Sequence, residues 1–258
     1  MNIVVLVKEV PDTYGKRVLN LETGLADREA SEAILDESSE RALEVALSHA
    51  DEHDDVEIVA ICLGRESAAN SARKALAMGA ARVVHIVDDA LLGADIGLTA
   101  EALAAAIRQE QADLVITGST ATDGTSGMVP AAVAELLEAA LLTGLSAVEI
   151  SDAGVSGTRL TDGQRQQLSA SFPAVISITE ALPDPRFPNF KGIMAAKKKP
   201  IEQLDLAELE VEADREDAAR SIMLSVAERP PKQAGVVIVD EGDAGERLAA
   251  FLLDHHLA

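Results

Sequence analysis

Short, unbroken apolar runs alternate along the chain with stretches whose apolar residues recur at helical spacing. Residues 3–8 (IVVLVK), 56–63, 82–87 and 113–117 are Val- and Ile-rich runs of strand length. Residues 40–50 (ERALEVALSHA), 67–78, 99–109 and 128–140 carry the three-to-four periodicity of amphipathic helices. Strands apolar on both faces and separated by helices mark parallel strands covered on either side by crossovers. The pattern therefore predicts an α/β fold built on a doubly wound, mainly parallel sheet.

After about residue 145 the rhythm changes. Residues 147–150 and 174–179 still read as strands. The region between them reads as a hairpin, with turn signals at Asp152-Ala153-Gly154 and Thr161-Asp162-Gly163. Beyond Glu180 the alternation stops. A proline-rich segment (184–200) is followed by an acidic stretch from Glu208 to Asp217, then Pro230-Pro231, a short strand over 236–239 and a terminal helix over 246–255. So little core-forming pattern predicts a domain at 1–180 and an extended C-terminal arm at 181–258 that packs against something else.

Composition narrows the field. The 258 residues carry 44 acidic against 22 basic side chains, a net charge of −22, which argues against nucleic acid and anionic membrane surfaces as partners. No apolar run reaches the roughly 18 residues of a membrane span, and Met1-Asn2-Ile3 enters the first strand without a signal-peptide n-region. The expectation is a cytoplasmic protein with no membrane insertion. The single Cys62 lies inside an apolar run and reads as a buried thiol in a reducing compartment.

Open α/β sheets bind ligands outside the carboxyl ends of their strands. After the fourth strand comes Gly118-Ser119-Thr120-Ala121-Thr122-Asp123-Gly124-Thr125-Ser126-Gly127-Met128-Val129-Pro130, small and hydroxyl residues running into a helix. Three glycines let the backbone approach a ligand, and Pro130 suits a first helical turn. Main-chain N–H groups at such a helix start form an anion site without a cationic side chain. No Lys or Arg occurs from 110 to 158, so this is not a Walker loop, and a nucleoside monophosphate is favoured over ATP. A helix cap with no ligand is the alternative.

Residues 184–200 hold five basic side chains against one acidic, with Phe187 and Phe190 among the chain's five aromatics. Three prolines and a glycine argue against a buried helix or a central strand there. Apolar side chains amid local positive charge on an acidic body suit a surface gripped by another protein. A proline-rich linker with a solvated lysine run is the other reading.

Enzyme signatures are weak. His49-Ala50-Asp51-Glu52-His53 fits a metallopeptidase pattern but lies at a polar helix end without an evident third ligand. There is no Gly-x-Ser-x-Gly elbow, and with 2% aromatics and no Trp the chain has few flat surfaces for an isoalloxazine ring.

Four segments resemble the beta subunit of electron transfer flavoprotein, in its FixA-like bacterial form, and they occur in family order. They are Ile3–Lys8 with Val10-Pro11-Asp12, the run Lys74-Ala75-Leu76-Ala77-Met78-Gly79-Ala80, the loop 123–129, and Pro185-Arg186-Phe187-Pro188 through Lys197-Lys198-Lys199. The resemblance implies a Rossmann-like, adenine-nucleotide-binding sheet and an electron carrier rather than an enzyme. It implies an alpha–beta heterodimer whose alpha subunit holds most of the redox FAD, while the beta subunit buries a structural AMP. Carried over by position, the AMP contacts are Leu6, Asp36, Glu37, Ser38, Ser39, Leu63, and the loop from Gly118 to Val129, with Ser126, Gly127, Met128 and Val129 presenting N–H groups to the phosphate. Thr125 and Met128 stand where many members have Asp and Gln. A second FAD in this site, as in electron-bifurcating relatives, is the alternative ligand.

The resemblance further implies that Arg186, Phe187, Pro188, Phe190 and Met194 dock acyl-CoA dehydrogenase-type flavoenzymes, Phe190 taking the place of the usual Leu anchor, with electrons passing to a quinone-linked acceptor. Rival readings are a stand-alone nucleotide-binding protein of the universal-stress type and a metallohydrolase built on His49 and His53. The first predicts basic phosphate ligands and no arm.

Overall fold

In a computed structural model, which describes residues 1–232, 235, 237 and 239–257, the predicted alternation is present. In order come β1 (Asn2–Val7), β2 (Glu9–Pro11), β3 (Ala33–Leu35), α1 (Glu37–Ala50), β4 (Glu57–Leu63), α2 (Ala68–Met78), β5 (Arg82–Ile86), α3 (Ile96–Glu110) and β6 (Leu114–Gly118). There follow α4 (Val129–Leu137), β7 (Ala140–Ser151), β8 (Gly154–Thr161), β9 (Gln164–Ser171), β10 (Ala174–Ile178), α5 (Phe190–Ala196), β11 (Glu202–Leu204) and α6 (Ala244–Asp254).

The main sheet has the order β11-β5-β4-β1-β6-β10-β7-β8-β9. It is parallel from β11 to β7 and antiparallel beyond. From β1 the chain moves outward through β4 and β5, then returns to place β6 on the other flank of β1. The connections leaving β1 and β6 diverge at this reversal, and a crevice opens at the carboxyl ends of the strands. Both faces of the sheet are covered, as the unbroken apolar runs require. Ile3, Val5 and Val7 of β1 pack with Ala42, Leu43 and Ala46 of α1 and Ala72 and Ala75 of α2, while Val4 and Leu6 belong to the opposite layer with Leu103, Ile107 and Val133.

Some boundaries differ from the sequence expectation. The helix expected over 128–140 ends at Leu137, where Glu138 adopts a left-handed conformation, and β7 starts at Ala140. The run Ala-Leu-Leu-Thr-Gly-Leu continues a helical apolar rhythm, so periodicity alone hides the first half of this strand. The hairpin signals hold: Asp162 and Gly163, both at positive φ, turn β8 into β9.

The main compact unit extends past the expected boundary at 180, to Leu224, and Ser225–Ala258 form a second unit. Residues after 200 add β11 to the edge of the sheet beside β5, and Leu206 and Leu209 are buried in the core. In the second unit α6 matches the predicted terminal helix, whereas the strand expected over 236–239 falls partly on Val236 and Ile238, which lie outside the described residues.

Cys62 is buried as expected, and burial pushes its thiol up to about 12. Beside it in register on β5, His85 is fully buried, and among the described residues neither ring nitrogen has a hydrogen-bond partner. Burial holds His85 below its ordinary pKa, more strongly than the nearby main chain of Gly64 and Arg65 and the Glu9 and Glu66 charges raise it. The unfolded chain therefore binds this proton more readily than the folded one. Its contribution is fully present above the unfolded pKa of about 6.5 and is lost as pH falls below it. We expect His85→Leu to leave stability at neutral pH unchanged or raised by about 1 kcal/mol, since two unsatisfied nitrogens are removed. In urea melts the advantage of the variant over wild type should widen between about pH 7 and about pH 5; a constant difference contradicts this account.

Candidate nucleotide cavity and docking segment

A cavity of about 750 Å3 opens at the carboxyl ends of β1, β4 and β6. Leu6 and Leu63 line it from the ends of β1 and β4, Ser38 and Ser39 from the first turn of α1, and Gly118, Ser119, Thr120, Ala121, Gly124, Thr125, Ser126, Gly127 and Val129 from the loop after β6. Its lining contains no aromatic side chain.

The other residues expected at this site do not line the cavity. Glu37 is exposed and Met128 is half-exposed at the start of α4. Asp36, Thr122 and Asp123 act behind the surface. The fully buried Asp36 accepts from the Ser38 N–H (2.9 Å) and Oγ (2.5 Å), and from the Thr122 N–H and Oγ1 (2.8 Å each). One carboxyl group thus caps α1 and fastens the loop to it. Gly118 is needed at this junction, because a Cβ there would overlap the Ser38 side chain.

Within the loop, the Ser119 N–H donates to Ile178 O, and the Thr125 N–H to Ala121 O. Gly127 takes a positive φ just before α4, and Pro130 occupies the first turn of that helix as predicted. Among the described residues the N–H groups of Ser126, Gly127, Met128 and Val129 have no protein acceptor. Such donors need partners from outside the chain, and the positive end of the helix dipole favours an anion there.

No Lys or Arg occurs from 110 to 158, but the fold brings cations from elsewhere in the chain to the loop. Lys8, Arg28 and Arg65 all line the cavity. The Lys8 Nζ lies 2.7 Å and the Arg28 Nη2 2.9 Å from the Asp123 carboxylate. Burial raises the Asp123 pKa, but the pairs with Lys8 and then Arg28 outweigh it and hold the carboxyl below its ordinary range. Sequence distance concealed both cations, 115 and 95 residues away. The position of Lys8 just beyond β1 was the available signal; Arg28 offered none.

The segment 184–200 is partly helical rather than irregular. Asn189 caps α5 by accepting from the Gly192 N–H at 2.8 Å, and only Ala196 of that helix is buried, so the prolines act as a helix boundary. Arg41 donates to Leu182 O (2.6 Å) and to Asp184 (2.5 Å). The Arg186 guanidinium binds both oxygens of Glu44 at 2.9 Å and Asp51 at 2.8 Å, so its charge is spent within the chain. Lys199 donates to Ala80 O and Ala81 O, and Arg73 to Ala196 O and Lys199 O, so the basic run is not wholly solvated. Gly192 sits where a Cβ would overlap Ala77 O of α2. On this anchored segment Phe187 is 95% and Phe190 79% exposed, with Met194 half-exposed and Pro188 partly buried.

His49 and His53 stack with ring centroids 4.1 Å apart, and His53 Nδ1 meets His49 O. Among the described residues no cluster of three or more His, Cys, Asp or Glu is placed to hold a metal ion, and no helix is long and apolar enough to cross a membrane.

Residues 23–209 match the electron transfer flavoprotein domain. The electron transfer flavoprotein subunit beta of Mycobacterium tuberculosis is 44% identical over 259 residues, covering 98% of this chain and 97% of that protein. The subunit of the same name from Bacillus subtilis is 33% identical over 243 residues, 93% of each chain. The CarD subunit of the caffeyl-CoA reductase-Etf complex of Acetobacterium woodii is 32% identical over 202 residues, 78% of this chain and 77% of that protein.

The bonds made by Asp36 yield a direct test. Loss of a helix cap costs about 1 kcal/mol, and each further buried hydrogen bond about as much. Asp36→Ala should therefore lower unfolding stability by about 2–4 kcal/mol in urea melts. Asp36→Asn, which keeps an acceptor oxygen, should lose clearly less; equal losses contradict the assigned role.

Proposed function

Because the chain belongs to the electron transfer flavoprotein beta-subunit family, we propose that it is the non-enzymatic half of a heterodimeric electron carrier. On this reading it pairs with an alpha subunit that holds most of the FAD, buries one AMP, and docks flavoprotein dehydrogenases of the acyl-CoA type, whose electrons pass on to a quinone-linked acceptor. The observation that carries the proposal is the run from Ser126 to Val129, whose four N–H groups have no acceptor among the described residues and of which Ser126, Gly127 and Val129 line a cavity on the sheet's topological reversal.

These residues suit an adenylate. The strand ends at Leu6 and Leu63 offer apolar surface and main-chain groups for the base and ribose, and the loop amides suit a phosphate. The cavity has no aromatic wall for an isoalloxazine ring, which favours a structural nucleotide here and the redox flavin on the partner. Bound FAD supplies the one-electron chemistry. AMP, which binds only the folded chain, stabilises it by linkage. A second FAD in the same cavity is the other reading, favoured by a volume in the upper part of the range of roughly 300–1,000 Å3 for small-molecule sites.

Docking is assigned to the exposed Phe187 and Phe190, with Met194 alongside, entering an apolar recess on the visiting flavoenzyme. The family resemblance includes Arg186 in this surface; its bonds to Glu44 and Asp51 support a role in orienting the segment instead. Anchoring before contact lowers the ordering cost of association.

Two measurements test the proposal. Heat release of small molecules from the co-expressed heterodimer should yield one FAD and one AMP; two FAD select the second reading, and no adenylate of any kind refutes the site. Phe190→Ala should slow electron transfer from an acyl-CoA dehydrogenase by about 30-fold or more, with flavin content unchanged, as expected for loss of an apolar hot spot. An unaltered rate contradicts the anchor assignment.

A further inference from the structure

The cavity assigned above to an adenylate carries a charge arrangement that this assignment does not use. Lys8 and Arg28 line the cavity next to the anion-binding loop, yet both point their charge at Asp123, a loop residue that is 10% exposed and does not itself line the cavity. Arg28 spends a second donor on the Glu9 main-chain carbonyl. The main chain of Lys8 is fixed as well, its N–H donating to Ser39 Oγ and its carbonyl accepting from the Asp36 N–H. The three side chains are therefore held together by the same framework that shapes the loop.

We propose that Asp123 sets the number of phosphates this cavity accepts, by neutralising one of the two cations that would compensate a longer phosphate chain. With Asp123 ionised, the group Lys8–Asp123–Arg28 offers a single net positive charge. One phosphate, held by four main-chain amides and that single charge, is well matched. Each further phosphate adds about one negative charge, and among the described residues the only other cation of the lining is Arg65. The other charged groups of the lining are Arg65 with Glu9, Glu66, Asp88 and Asp89, an acidic balance that discourages a longer chain from spreading along the cavity. Asp123 is thus a specificity-determining residue that acts through Lys8 and Arg28 rather than by touching the nucleotide.

The proposal rests on the adenylate reading, and its test separates the two. The heterodimer is refolded in an equimolar mixture of AMP, ADP and ATP, washed, and the nucleotides it releases on heating are separated and quantified. Asp123→Asn raises the local charge by one unit and should raise the released ADP:AMP ratio by about tenfold or more. Arg28→Gln lowers it by one unit while leaving Asp123 its bond to Lys8, and should lower the ratio below that of wild type. A merely structural role for Asp123 would reduce total nucleotide without changing the ratio. If Asp123→Asn fails to refold, Arg28→Gln decides alone, because its ratio must fall. Uptake of nucleotide with equal ratios in all three proteins overturns this assignment only. Absence of any adenine nucleotide from the wild-type complex overturns the adenylate reading and this one with it.

Discussion

One buried carboxyl group, that of Asp36, joins the two parts of the chain that make the candidate site. It bonds the first turn of α1 through Ser38 and, 86 residues later in the chain, the backbone and side chain of Thr122. A buried acceptor left without donors would be costly, so the loop cannot leave α1 without breaking several bonds together. Ser119, Thr122 and Thr125 are paired, and among the described residues the N–H groups from Ser126 to Val129 form a consecutive run without an acceptor.

Charge in this protein works locally against its overall sign. A body of net charge −22 repels anions at long range, and screening by salt confines that repulsion to about 8–10 Å in physiological solution. For the proposed adenylate the close environment matters more, where main-chain amides and a partly neutralised pair of cations stand together. Asp123 pairs with both, and its burial makes those pairs stronger than surface ion pairs of the same length.

The exposed aromatic segment follows a related logic of fixing the frame and freeing the tip. Arg41 and Arg186 hold residues 182–186 against the body, and Gly192 lets α5 sit against the Ala77 carbonyl. Both phenylalanines remain in solvent on this fixed base. Exposed apolar rings of that size on a fixed base support the proposed docking role. The positive charges that made this segment conspicuous in the sequence are in part its fastenings: Arg186 and Lys199 turn inward onto carboxylates and carbonyls.

The apolar runs by themselves determined a parallel sheet covered on both faces, because a strand such as 3–7 can bury all its side chains only between two layers. Turn residues at 162–163, Pro130 in the first turn of α4 and the small-residue loop before it were legible for the same reason: each depends on the conformational preferences of neighbours in the chain. The first half of β7 was not, since an apolar rhythm of that length suits a helix or a strand, and pairing with β10 decides between them. Nor were β11, the burial of Leu206 and Leu209, the inward turn of Arg186, or the meeting of Lys8 and Arg28 with Asp123. Local pattern records which residues must leave water; only the folded arrangement decides which distant charge each polar group meets when they do.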